Sequence, residues 1–581
     1  MSISANFPNV RPSLLLDFAN SQQLDSRVTF SRSTTAPYYD GKTSALAEQN
    51  LLLQSQNFAT TWSNSGVASI STTATTAPDG TSTGNSITED TSTGVHRFNQ
   101  TVTTLASTSY VFSIYLKYSN CQYVSLINSP VNNSATFDLV NGTVTTSSGT
   151  LSNFITNVGN GWYRVGYVVN NLNAGSTQFF VQMMDSTGTT NNYTGTSRLI
   201  YTWGAQLEQR SSVTAYNATT TTAITNYIPQ LLTAPINQPR FDFNPTTGES
   251  LGLLIEQSST NLLTYSQDFS NAVWTKTNTT VTTGANIASD GTQTFNLLQE
   301  TTATGQHYAI TGTILTSGTQ YTTTIYAKAY GQSTLGICYG YDSGGANFNL
   351  STGAVGTVDA GVTATITAVG NGVYRCSMTR TPSSNSALIF QLNGKATSYT
   401  GNGYSGIYIW GAQLEALAFP TSYIPTTSAQ VTRASDNASM TGTNFSSWYN
   451  NGQGTLYVEQ MGTLLNGVTN NTIGFALNNV QAIGFNQVSA TSRFFVGSTT
   501  ITTSVGVSSM AFYKVIGSYN FNNTIASECG NGGTVYSATV SAQTADSLKL
   551  PIYMLTGLWI KKLAYYPQAL TSTQLQSLTG S

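Results

Sequence analysis

Only two histidines occur in this chain, His96 and His307, and they stand 211 residues apart. Acyl transfer by a Ser-His-Asp or Cys-His system needs a base held beside the nucleophile. The two histidines fall at matched places of an internal repeat, so both copies would be active or neither, and they are expected as surface or turn residues. Glycan cleavage needs two carboxylates about 5 to 10 Å apart across the scissile bond. The duplicated acids are Asp79/Asp290 and Glu208/Glu415, and Asp79 and Asp290 each precede glycine, the place of an ordinary turn aspartate. Cys121, Cys338, Cys376 and Cys529 show no CxxC spacing, and no His/Cys/Asp grouping supplies three or four metal ligands, although these residues leave calcium binding open. Cys338 and Cys376 replace aliphatic Ile127 and Val165 of the first copy, which favours buried free thiols over a disulfide between them. Gly401-Asn-Gly-Tyr-Ser-Gly406 matches G-x-G-x-x-G by letter, but the strand-like Ile407-Tyr-Ile-Trp410 follows it where a phosphate-binding loop must open a helix. The expectation is a protein without catalytic residues or cofactor.

Binding is the chemistry these residues suit. A neutral polyol offers C–H patches and hydroxyls, which flat aromatic faces and neutral amides and hydroxyls recognise. Alternation along the strand ending the second copy sets Tyr408, Trp410, Ala412 and Leu414 on one side and Ile409, Gly411, Gln413 and Glu415 on the other. Trp203 and Trp410 are then expected as core plugs. The off-core candidates for ligand contact are Tyr115, Lys117, Gln206 and Glu208 with their duplicates Tyr326, Lys328, Gln413 and Glu415. The competing reading pairs Lys with Glu across one solvated sheet face. Trp448, Tyr513, Trp559, Tyr565 and Tyr566 further on have no face fixed by pattern.

The elements that position these residues follow from composition. At 581 residues, and roughly 150 per domain, several domains are expected. Charged residues make up 8% of the chain against about 25% in an ordinary soluble domain, while 32 Tyr, 24 Phe and 7 Trp argue against disorder. The formal charge of −2, with no Lys/Arg cluster, gives no field for a phosphate backbone, so nucleic acid is not an expected partner. No apolar run approaches the 18 or so residues of a membrane span, and Leu14 to Leu16 is too short for a signal peptide, so no membrane insertion or secretion is expected.

A repeat organises the chain. Asn50-Leu-Leu-Leu-Gln-Ser-Gln-Asn-Phe58 returns as Asn261-Leu-Leu-Thr-Tyr-Ser-Gln-Asp-Phe269, Tyr115-x-Lys117 as Tyr326-x-Lys328, and Gly161-x-Tyr-Arg164 as Gly372-x-Tyr-Arg375. Trp203-Gly-Ala-Gln-Leu-Glu208 answers Trp410-Gly-Ala-Gln-Leu-Glu415, and Tyr227-Ile-Pro229 answers Tyr423-Ile-Pro425. The apolar period is two, as in Tyr110 to Lys117 with Phe112, Ile114 and Leu116 on one face, and Asn-Gly and Asp-Gly turns are dense. The fold class is all-β: tandem antiparallel β-sandwiches, two jelly rolls of about eight strands each and one further sandwich. Thr571-Ser-Thr-Gln574 with Leu570 and Leu575 reads as a capping box and staple opening a short C-terminal helix. The divisions are a leader over 1–49, module 1 over 50–229, a linker and lead-in over 230–260 containing Arg240-Phe-Asp-Phe243, module 2 over 261–438, and a last sandwich over 439–581.

Pro12-Ser-Leu-Leu-Leu-Asp-Phe18, Arg27-Val-Thr-Phe-Ser-Arg32, Tyr39-Asp-Gly41, Gly252-Leu-Leu-Ile-Glu256 and Pro420-Thr-Ser-Tyr-Ile-Pro425 with Val431-Thr-Arg433 resemble the leader and between-module signatures of bacteriophage virion fibre or spike proteins of head-fibre or tail-fibre type. Gly532-Gly-Thr-Val535, and Leu555 to Leu578 with Tyr565-Tyr-Pro567, resemble the end of a concanavalin-A/laminin-G-like lectin domain. The resemblance implies a virion structural protein assembled in the host cytoplasm, attached to other virion proteins through its N-terminal segment. It also implies carbohydrate-binding-like modules that adhere to cell-surface glycan, and a homo-oligomer, in that family a trimer. The alternatives are a capsid or tail decoration protein, and a polysaccharide depolymerase.

Overall fold

The computed structural model describes residues 10–580 except 171, 341–343, 396, 463–468, 479, 489–490, 507–510 and 554–556. Antiparallel strands account for nearly all the regular structure, as the two-residue period requires.

Each module packs two six-stranded sheets, more strands than the eight its length suggested. In module 1 one sheet runs 152–159, 162–169, 110–118, 199–208, 84–89, 67–75. The other runs 143–148, 134–138, 123–129, 175–183, 96–104, 63–65. Module 2 repeats both orders. Phe112, Ile114 and Leu116 meet Val124, Leu126, Phe179 and Val181 in the core between the sheets.

The repeated Trp-Gly dipeptide bends this frame. Gly204 and Gly411 sit at φ +61° and +62°, at the register shift where the last strand passes Tyr115 or Tyr326. Such a one-residue bulge resets alternation. Consequently Ile407, Ile409, Ala412 and Leu414 point into the core, while Tyr408 and Trp410 lie with Gln413 and Glu415 on the outer face. Strict alternation grouped Trp410 with Leu414, and the bulge is the reason it failed. Trp203 and Trp410 are buried, but outside the main core.

The third sandwich draws on the whole chain. Its eight-stranded sheet contains Leu14–Asp17, Arg240–Phe243 and Ser250–Ile255 beside strands 453–462, 513–520, 525–530, 536–539 and 558–566. Leu14–Asp17 and Ser250–Ile255 share one edge of strand 558–566, end to end: Leu14 pairs with Tyr565 and Leu253 with Ile560. Thr29–Ser31 begins the opposing seven-stranded sheet by pairing with Asn437–Thr441. Leu14, Leu16, Phe18, Leu253 and Ile255 share a core with Leu456, Val458, Phe475 and Leu563. Sequence divisions and sandwich divisions therefore do not coincide. Helix Ser572–Gly580 closes the chain, with Thr571 N–H donating to Gln574 Oε1 at 2.9 Å and Leu570 and Leu575 buried.

A buried ion network ties these distant segments together. Asp436 accepts from Arg32 Nη1 at 2.9 Å, from Arg240 Nη2 at 2.5 Å and from the Glu256 N–H at 2.9 Å. Glu256 accepts from Arg240 Nη1 at 2.7 Å and from the Ser422 backbone, with Arg433 3.6 Å away. Burial alone would raise the Glu256 pKa, but Arg433, Arg240 and the Ser422 bonds outweigh it and hold it down to about 2.

Candidate functional site

Six of the eight duplicated candidate residues form an internal device, built once in each module. After its last strand each module sends a strap back across the outer face of the sheet containing strand 110–118 or 321–330. Gln206 Nε2 donates to Ala215 O and its Oε1 accepts from Asn217 N–H, while Glu208 accepts from the Thr214 N–H and hydroxyl and pairs with Arg210 at 3.4 Å. Gln413 and Glu415 repeat this on Thr421, Ser422 and Ile424, with Ser259 also donating to Glu415. Arg164 and Arg375 donate to the strap carbonyls of Thr214 and Thr421. Tyr216 packs on Tyr115 and Trp203, as Tyr423 does on Tyr326 and Trp410. Tyr216 is thus the counterpart of Tyr423. Tyr227, which the sequence match selected, is 58% exposed.

Gln206, Glu208, Gln413, Glu415, Tyr115 and Tyr326 are all buried, and the amide and carboxylate groups are committed to strap bonds. Lys328 pairs with Glu48, and Lys117 lies half-buried beside Gly161. A Lys-to-Glu pair across one sheet face is not the arrangement: each glutamate turns to its own strap, and Lys328 reaches another strand altogether.

The histidines are buried, against the surface position expected of them. His96 Nδ1 lies 2.8 Å from Gly66 O, and its ring packs tilted against Tyr193 with centroids 4.6 Å apart. His307 packs tilted against Tyr399 with centroids 4.5 Å apart, and neither ring nitrogen has a hydrogen-bond partner among the described residues. Beside them Glu89 accepts from Tyr193 Oη, Thr196 N–H and Arg198 Nε, and Glu300 from Tyr399 Oη, Gln332 Nε2 and Asn402 N–H. Burial raises the Glu89 pKa, and Arg198 with its other donors reverses that to about 2. These clusters close the small two-stranded sheets at one end of each module. Asp79 and Asp290 accept from Thr81 and Thr292 two residues on, as turn aspartates do. Gly401–Ser405 is a turn capped by Asn402. All four cysteines are free and buried, and desolvation raises the thiols of Cys121 and Cys338 to about 12, which disfavours thiolate. Trp448, Tyr513, Tyr565 and Tyr566 are buried, and Trp559 Nε1 donates to Asp242.

The sheet opposite the strap presents a different surface in module 1. Cross-strand register sets Ser65, Arg97, Gln182, Ser125 and Thr136 in one row, and Ser63, Asn99, Phe180, Ile127 and Ser134 in the next. Thr101 and Gln178 extend it. Amides and hydroxyls surround one phenyl ring there. Edge strand Ser63–Ser65 has three residues against nine in its neighbour His96–Thr104, so beyond Asn99 the sheet edge is left unpaired. The resulting cavity of about 370 Å³ is lined by Leu51, Leu53, Thr61, Ser63, Asn99, Gln100, Thr101 and Val102. Gln100 fixes its wall, accepting from Leu53 N–H at 2.6 Å and donating to Leu53 O at 2.9 Å. Among the described residues no ionisable group lines it. Leucine walls with hydroxyl and amide edges match the two surfaces of a sugar ring, and the volume lies in the range of small-molecule sites.

Module 2 does not repeat this surface. Tyr308, Ile310 and Gly312 stand where module 1 has Arg97, Asn99 and Thr101, and Ile389 where it has Phe180. Tyr308, Ile310, Cys338 and Ile389 pack together. The hairpin carrying Lys395 lies over the same sheet, its N–H bonded to Asn347 and its ammonium paired with Asp359. Sequence reasoning passed over Asn99 and Thr101 because it followed identities between the copies. The available signal was the difference: polar Arg97-x-Asn99-x-Thr101 against Tyr308-x-Ile310-x-Gly312.

No protein-family model matches the chain, and no characterised protein matches it in sequence. Among solved structures it is similar to the CBM40 of the Ruminococcus gnavus IT-sialidase bound to alpha2,3 sialyllactose, at 16% identity and TM-score 0.20, covering 23% of this chain and 84% of that one. It is also similar to the N-terminal CBM22-1-CBM22-2 tandem domain of Paenibacillus barcinonensis Xyn10C, at 10% identity and TM-score 0.19, covering 65% of this chain and 99% of that one.

Proposed function

We propose that the chain is a non-enzymatic glycan-binding protein, displayed as a fibre or spike on a bacteriophage virion, and that module 1 holds its sugar site. The observation that carries the binding reading is the uncharged cavity between Leu51, Leu53, Asn99 and Thr101 at the sheet edge of module 1. The virion setting is supported by the leader and between-module motifs. On this reading Leu51 and Leu53 pack on sugar C–H groups while Asn99, Thr101 and Ser63 exchange hydrogen bonds with hydroxyls. A single such site is weak, and display of several copies, a trimer in the resembling family, supplies avidity.

A glycan array probed with the full chain tests this. Binding is expected, and Asn99→Ala is expected to weaken it by about tenfold, the cost of leaving one buried partner unmade. Release of reducing ends would favour the depolymerase reading. Silence across the array, with the folded chain still bound by other virion proteins, would replace adhesion by decoration.

A further inference from the structure

We infer that the module 1 face selects an acidic glycan, through a carboxylate-bearing sugar seated on Arg97. The inference rests on the sugar-binding reading above and names the class of sugar.

Arg97 is half-buried, and its guanidinium lies 4.2 Å from the centre of the Phe180 ring. Phe180 itself is 4% exposed, so the plane it offers is fixed by the sheet beneath. Stacking orients the guanidinium and leaves its edge N–H groups free, because Arg97 makes no hydrogen bond or ion pair with any described side chain. Other arginines of the same sandwich are spent: Arg164 on Thr214 and Ser113, Arg198 on Glu89 and Met184. An oriented, unpaired fork of donors fits a planar carboxylate in two parallel bonds.

A second group points the same way. Gln182 pairs in register with Arg97 on one side and Ser125 on the other, and is fully buried. Its Nε2 donates weakly to Asn191 O at 3.5 Å, and its Oε1 has no partner among the described residues. A buried acceptor left unmade is costly, so unspent hydrogen-bonding capacity sits directly beside Arg97 in the row. Asn99 is one register step from the Arg97–Gln182 pair and also lines the cavity, so the anionic and neutral parts are continuous. Module 2 keeps a glutamine, Gln391, at the matching place but sets Tyr308 and Ile389 for Arg97 and Phe180, so the fold itself does not require the Arg–Phe pair.

The test prints uronate- and sialate-containing glycans beside their carboxyl-reduced forms, in which CH2OH replaces the carboxylate, and probes them with the full chain and with Arg97→Gln. The native chain is expected to bind acidic members at least about tenfold better than their reduced partners. Arg97→Gln should erase that ratio while leaving the reduced forms and the thermal transition unchanged. Equal binding of acidic and reduced forms, or a ratio that survives Arg97→Gln, overturns the acidic assignment and leaves glycan binding standing. No binding to any glycan overturns both.

Discussion

Glu528 is a carboxyl that the third sandwich has enclosed without a cationic partner among the described residues, and its removal gives a pH-dependent stability change that can be worked out in advance. It lies on strand 525–530 on the same face as core residue Ala526, is fully buried, accepts a bond from Phe494 N–H at 3.0 Å, and has Oε1 without a partner among the described residues. Burial pushes its pKa up to about 8, against smaller downward pulls from Phe494 and Ser492. A raised acid pKa means that the folded chain keeps a proton which the unfolded chain releases. Stability is therefore intact below about pH 4.5, falls as pH rises, and has lost its full share above about 8. At about 1.36 kcal/mol per unit, the three units from pH 5 to 8 amount to about 4 kcal/mol as a ceiling, reduced by whatever water reaches the carboxylate. Glu528→Gln keeps the shape and the bond to Phe494 and removes the titration. At pH 5 the variant should match the native chain within about 1 kcal/mol, and at pH 8 it should be more stable by about 2 to 4 kcal/mol. Hydrogen exchange of strands 513–520 and 525–530, followed from pH 5 to 8 in both proteins, reads this difference locally. A gap between the two that does not change with pH would refute the reasoning.

Two further outcomes concern the interlocked architecture. Asp436→Asn weakens the acceptor shared by Arg32 and Arg240 and leaves two buried guanidinium groups undercompensated; a loss of about 3 to 5 kcal/mol is expected in chemical denaturation, with earlier proteolysis between residues 18 and 28, and an unchanged midpoint would show that the network is not a fastening. Residues 440–581 expressed alone lack Leu14–Asp17, Thr29–Ser31 and Ser250–Ile255, so Leu456, Val458 and Leu563 lose core partners; the fragment should associate or bind hydrophobic dyes, and a monomeric fragment with one cooperative transition would contradict the shared core.

The all-β class and the terminal helix were legible because each depends on local spacing, namely alternation in Tyr110–Lys117, turn dipeptides and the Thr571/Gln574 box, and the duplication because the same motifs recur in the same order. What was not legible depends on partners far away or on a single backbone torsion. Leu14-Leu-Leu-Asp17 carries no sign that its neighbour in the sheet is Ala564. Arg32 and Asp436 meet across 404 residues. One glycine, Gly411 at φ +62°, reverses the face of everything beyond it, so Gln413 and Glu415 were rightly placed off-core but for a phase that does not exist. The eight duplicated side chains stood out because both copies need them, and that need proves to be internal: six are buried in the strap sockets, and Lys328 reaches only to Glu48.

The same logic explains why the proposed binding surface falls on the sheet that carries fewer identities. The strap sheets are consumed by assembly within the chain. Module 1's strap bonds to module 2 through Ala215 N–H to Ala285 O and through Gln293 to Val213 O. The equivalent face of module 2, with Tyr326, Trp410 and Tyr423, is covered by Tyr39 and Ala47 from the leader, Ile228 from module 1 and Leu231 from the linker. Once both strap faces are covered, the opposite sheets are the broad faces left free to diverge. Module 2 filled its own with Ile310, Cys338 and Ile389 beneath the Lys395 hairpin, whereas module 1 kept an open notch with an unpaired arginine beside it. In a duplicated protein of this kind, identity between the copies marks what the fold requires, and difference marks where a ligand can be selected.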